Sequence, residues 1–184
     1  MHRPPVLALL CATVLLGASE VRAARPLITD DARIVDSKAC QLETWMRRNR
    51  GSTEYWALPA CNFTGDLELT FGGGRTAEFG ETTTSDVQLQ GKRLFKRLEP
   101  DGWGVGMVIG NLRRPAEMPH RDVAGNLYGY IPASVSFNRD RLVVHANLGM
   151  ARPENSPRHR PTWGVGTEVS ITDAVYFIPE VFSQ

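Results

Sequence analysis

The chain has 184 residues, 21 of them Lys or Arg and 20 Asp or Glu. That balance excludes a protein that gathers nucleic acid through a basic surface. The length suits one domain.

The N-terminus, MHRPPVLALLCATVLLGASEVRA, places Arg3 ahead of an unbroken apolar run from Val6 to Leu16. Val21-Arg22-Ala23 then supplies small residues at a cleavage position, which completes a secretory signal pattern over 1–23. The run is too short to span a bilayer as a helix, which needs about 20 apolar residues. Leu10 before Cys11 argues against a lipoprotein cysteine. Cleavage leaves 24–184 as the folded domain. Arg3, Arg22 and Glu20 leave with the signal, so the formal charge of the remainder is balanced. It keeps two cysteines, Cys40 and Cys61. In an oxidising compartment such a pair points to a disulfide. A structural zinc site needs a fuller ligand set at characteristic spacing, and no metal or other cofactor is expected.

Beyond residue 37 the apolar residues recur with a period of two, and no helical period competes. The candidate strands, in order, are 37–47, 55–62, 67–71, 86–98, 103–112, 127–138, 141–150, 162–171 and 174–182. Asn49-Arg50-Gly51-Ser52, Thr64-Gly65-Asp66, Glu99-Pro100-Asp101-Gly102, Asn138-Arg139-Asp140 and Thr172-Asp173 mark tight turns between them. Polar stretches at 113–125 and 151–161 are longer loops. His120 and His159 fall in them among arginines and read as solvated residues. In the second half, short and long connections alternate, as in an up-and-down meander.

The period leaves one question open: does the apolar row of each strand face a protein core or lipid? In 141–150, Leu142, Val144, Ala146, Leu148 and Met150 alternate with Val143, His145, Asn147 and Gly149. Three features favour lipid. Gly104, Gly106, Gly110, Gly149, Gly164 and Gly166 crowd the other face, where glycine weakens a strand unless space is short. Aromatic residues near strand ends, Trp45, Tyr55, Trp56, Trp103, Tyr128, Tyr130, Trp163 and Tyr176, suit interfacial girdles. The strands also approach the length of about 9–11 residues needed to cross a bilayer at a tilt. The expected fold is therefore all-β, an antiparallel up-and-down meander forming a transmembrane β-barrel. About nine strands do not make the even number usual in such barrels. Either one more strand is present than the pattern shows, or the barrel is incomplete.

RPLITDDARIVDSKACQLETW (25–45) and YWALPACNFTGDLELTFGGG (55–74) carry a T-D-D-A stretch, a C-Q-L-E-x-W strand, a P-A-C segment and an L-E-L strand. Over 25–74 the chain resembles the bacterial outer-membrane barrel family of the MetA pathway of phenol degradation. The resemblance implies an outer-membrane location in a Gram-negative cell and a role in passage of small compounds, aromatic ones among them. It supplies no catalytic residues.

On the barrel reading, Glu43, Glu68, Gln88, Gln90, Lys92, His145, Asn147, Glu168 and Glu180 line the lumen. The partners are outer-membrane lipids, the barrel-assembly machinery and a small-molecule solute, with no nucleic acid. Two alternatives stand beside it. One is a soluble periplasmic β-sandwich that binds a ligand. The other is a lipid-modifying barrel enzyme using His145 with Ser134 or Ser136 and Glu168. No G-x-S-x-G or H-E-x-x-H motif supports the enzyme, and no catalytic residue is assigned.

Overall fold

The structure is a computed structural model that describes residues 28–78, 84–114, 125–154, 156 and 158–183. The expected signal peptide, 1–23, and His120 lie outside the described residues. Strands β1 (Ala39–Asn49), β2 (Ser52–Asn62), β3 (Leu67–Glu78), β4 (Thr84–Lys96), β5 (Trp103–Arg113), β6 (Asn126–Phe137), β7 (Leu142–Arg152) and β8 (Arg160–Thr172) follow one another. Two short strands, β9 (Val175–Phe177) and β10 (Glu180–Ser183), end the described chain. All ten belong to one antiparallel sheet in sequence order, with β9 and β10 both paired to β8. The meander is as expected, but the sheet is not closed. Among the described residues β1 pairs with β2 alone.

The strand expected at 174–182 is two strands. Pro179 lies between them and has no N–H to donate to a ladder, while its carbonyl accepts from Thr167 N at 3.0 Å. The untidy second half expected in 86–98 is a bulge between Leu94 and Lys96, which releases Phe95 from the pairing register. Turn residues act as their chemistry suggests. Gly51 takes a φ of 97° in the two-residue turn that joins β1 to β2. Asn138, Arg139 and Asp140 all take positive φ between β6 and β7. There the Asp101 carboxylate accepts the Arg139 N–H at 2.8 Å, which holds this costly backbone in place.

Cys40 and Cys61 stand opposite each other in the β1–β2 register, with Cα atoms 4.1 Å apart, and form the expected disulfide.

The two faces of the sheet differ sharply. On one, Leu42, Phe71, Leu89, Ile109, Ile131, Leu148 and Val181 are exposed, and no second layer covers them among the described residues. The other holds the buried groups, and charged and polar side chains dominate it. Glu68 is 6 % exposed, Lys92 4 % and His145 0 %, whereas Leu148 is 70 %. Buried apolar residues are few: Ala32, Ala60, Leu94, Val108 and Val143. In β7 the expected alternation holds residue by residue, with Val143 and His145 buried and Leu142, Ala146, Leu148 and Met150 exposed.

Crowding explains several glycines on the polar face. A Cβ on Gly110 would fall 2.1 Å from the Tyr128 ring, and one on Gly164 would fall 2.6 Å from Thr29 Oγ1. A Cβ on Gly149 would meet the Gly129 carbonyl oxygen at 2.3 Å. The aromatics divide differently from the girdle expected. Tyr55, Trp103 and Trp163 lie on the apolar face, but Trp45, Trp56, Tyr128 and Tyr130 lie on the polar one. Their parity decides it: Trp45 is in phase with Glu43, and the two Tyr residues are in phase with Ser134.

Candidate functional site

The polar face lines a cavity of about 1520 Å³ that residues from β1 through β8 and β10 share. Its wall includes Glu43, Glu68, Gln88, Gln90, Lys92, Asn147 and Glu168. His145 is on the same face but fully buried, and Glu180 faces the same side from β10. All nine residues lie on this one face. An element with no strand period in the sequence joins most of them.

That element is the segment 28–35, which lies across the polar face without entering the ladder. Thr29 N donates to Glu180 Oε2 at 3.0 Å, and Ile28 N to the same oxygen at 3.1 Å. Lys92 Nζ meets Asp30 Oδ1 at 2.8 Å and Asp31 Oδ1 at 3.3 Å. The Tyr130 hydroxyl donates to Asp30 Oδ2 at 2.9 Å. The Asn147 amide, turned so that its nitrogen faces the Asp30 carbonyl, donates to that oxygen at 2.9 Å and accepts from Asp30 N at 2.6 Å. Ala32 N donates to Ser134 Oγ at 2.8 Å. Arg33 pairs with Glu168 at 3.2 Å and with Asp31 at 3.3 Å. Val35 N donates to Glu68 Oε2 at 2.8 Å, and Asn62 Nδ2 donates to Val35 O at 2.8 Å.

The local chemistry is consistent. A segment held against a sheet off the ladder satisfies its N–H and C=O groups through side chains. Carboxylates suit its N–H groups, and charge-assisted hydrogen bonds are the stronger kind. The sheet therefore presents acids to the backbone and Lys92 to the two aspartates. Because side chains of one strand face alternate sides, Glu68, Lys92, Ser134, Asn147 and Glu168 all reach the segment from one face.

Ser134, His145 and Glu168 do come together, as the enzyme alternative requires. Ser134 Oγ is 2.8 Å from His145 Nδ1, and His145 Nε2 is 3.4 Å from Glu168 Oε1. The latter contact is too poorly aligned to count as a hydrogen bond. Ser136 is not part of this chain; its hydroxyl bonds Asp140 and accepts from Asp101 N. Ser134 is 1 % exposed and capped by the Ala32 N–H, so the three residues seat the segment.

Toward the β1–β2 turn the cavity wall is aromatic. Trp45 and Trp56 stack with centroids 5.6 Å apart and planes 7° apart. Gly74 lies beneath Trp56, where a Cβ would come within 2.6 Å of the ring. The Tyr128 hydroxyl donates to Gln90 Oε1 at 2.9 Å and Trp56 Nε1 donates to Glu54 at 3.2 Å, while nearer the other end of β1 Gln41 donates to Glu43 at 3.1 Å. Gln88, Gln90 and Glu43 line the wall with no hydrogen bond to the inner segment among the described residues.

The family described as uncharacterised conserved protein UCP029691 matches residues 11–184. The chain belongs to that family. Comparison with curated proteins and with solved structures gives no match. The family match overturns the resemblance to the MetA pathway of phenol degradation, because it covers both segments that carried the likeness and runs to the end of the chain. The T-D-D-A stretch and the C-Q-L-E-x-W, P-A-C and L-E-L segments are short and lie within the part of the chain that this family match covers.

Proposed function

We propose that the protein is an outer-membrane β-barrel, exported through 1–23, whose polar interior passes small polar solutes. One observation carries this reading: the faces are the reverse of a water-soluble sheet. Ionised and hydrogen-bonding groups are buried, while rows of Leu, Ile, Phe, Met and Val are exposed. A contiguous apolar surface of this kind marks a membrane or a large partner, and a lipid-facing strand alternates apolar-out with polar-in. A soluble sandwich would cover its apolar rows with a second sheet. The described residues provide none.

Lipid also demands closure, because each unpaired backbone group in the hydrocarbon costs several kcal/mol. The long strands, β1 to β8, number eight and span 11 to 13 residues each. The outer edge of β8 carries the short strands β9 and β10, so closure requires β1 to meet that edge, with the lipids and the barrel-assembly machinery as partners. An eight-stranded barrel has an interior just wide enough for side chains to fill, and the glycines of the polar face widen it for the inner segment.

The mature protein is expected to fractionate with outer membranes, to need detergent for release, and to migrate faster on a gel unheated than boiled. Recovery in the periplasmic fraction without detergent, with one mobility under both conditions, removes the reading.

A further inference from the structure

We propose that residues 28–35 are a releasable plug, seated on the polar face by a charge latch of Lys92 on Asp30 and Asp31 and of Glu168 on Arg33. The consequence for solutes rests on the passage reading; the latch does not.

Three observations distinguish a seated plug from a permanent part of the core. First, the segment makes no backbone-to-backbone hydrogen bond to any strand among the described residues. Every polar tie runs through a side chain of β2, β3, β4, β6, β7, β8 or β10. Second, it contributes little apolar burial. Of its residues only Ala32 and Thr29 are buried, so the hydrophobic term that fixes core elements is small here. Third, its ties to Glu68, Lys92, Tyr130, Glu168 and Glu180 are ionic or charge-assisted, those to Asn62, Ser134 and Asn147 are neutral hydrogen bonds, and a wet cavity offers water as a replacement partner for each. The side chains of Asp30 and Asp31 are 25 % and 24 % exposed and that of Arg33 is 40 %, whereas that of Lys92 is 5 %. The cation is fixed in the sheet, and the anions that meet it belong to the segment. This arrangement lets the segment leave and return without repacking a core.

The plug also lies in one half of the cavity. Glu68 and Lys92 are register partners next to the turns at 63–66 and 97–102. Trp45, Trp56 and Gln88 line the opposite half. The segment therefore closes one end of the polar interior and leaves a blind vestibule at the other.

The test uses the full-length protein in detergent and in proteoliposomes. The variant Asp30→Asn/Asp31→Asn/Arg33→Gln removes the latch charges with little change of shape. Hydrogen exchange of the Thr29, Ala32 and Val35 amides is expected to quicken together by roughly tenfold or more, while the β5–β7 ladder amides keep their rates. Liposomes carrying the variant are expected to swell in isotonic ribose several-fold faster than those carrying the parent chain. Unchanged exchange at the three amides overturns the plug. Quickened exchange with no gain in swelling supports the latch and overturns passage of solutes. If the triple variant does not assemble, Asp31→Asn alone carries the same exchange measurement at smaller amplitude.

Discussion

Gly149→Ala is expected to destabilise the protein by about 3 kcal/mol, at the upper end of the usual cost of overpacking. The added methyl would sit 2.3 Å from the Gly129 carbonyl oxygen and 2.4 Å from Tyr130 Cβ. Neither is the far end of a flexible side chain, so β6 and β7 must move apart where they pair as Tyr130 with Gly149. Gly129→Ala provides the control on the adjacent strand. Its methyl would meet Val108 O at 3.4 Å, an ordinary contact. We expect that change to stay within about 1 kcal/mol. Denaturant unfolding of the two variants in the same detergent measures the difference. Equal stabilities would show that the sheet yields at Gly149 without cost.

Removing the disulfide as Cys40→Ser/Cys61→Ser is the second large effect. The bridge joins residues 21 apart in sequence, and a loop of that size corresponds to about 3 kcal/mol of restricted unfolded-state entropy. The loss falls on β1, whose other edge has no strand partner among the described residues. The β1–β2 hairpin is thus expected to fray first. Exchange at the amides of 41–47 should rise by more than exchange in β5 to β7. Uniform change across the sheet would show that the bridge stabilises the whole sheet and not its edge.

The period of two carried most of what the sequence could reveal. It assigned the buried and exposed rows of β7 and put Glu43, Glu68, Lys92, His145 and Glu168 on one face, because parity needs no long-range information. Pro179 was a visible signal that 174–182 could not be one ladder strand. Trp45 and Trp56 were read as an interfacial girdle, although their phase with Glu43 and Glu54 already turned them inward. The inner segment was harder. T-D-D-A-R has no period, and its partners are Lys92, Ser134, Asn147, Glu168 and Glu180, far along the chain. The available signal was electrostatic: Lys92 stands on a polar face between Gln90 and Leu94, and Asp30-Asp31 is a close acidic pair in a segment of no assigned structure. Pairing alone could not join them without the curl of the sheet. The family, likewise, was not recoverable from a few short segments within 25–74.

Glu180 bonds the backbone at Ile28 and Thr29 across 152 and 151 residues. The inner segment thus finds its anchor on β10, the described strand farthest from it in sequence. Ties of that span give assembly a high contact order, and the step that seats the segment is correspondingly slow.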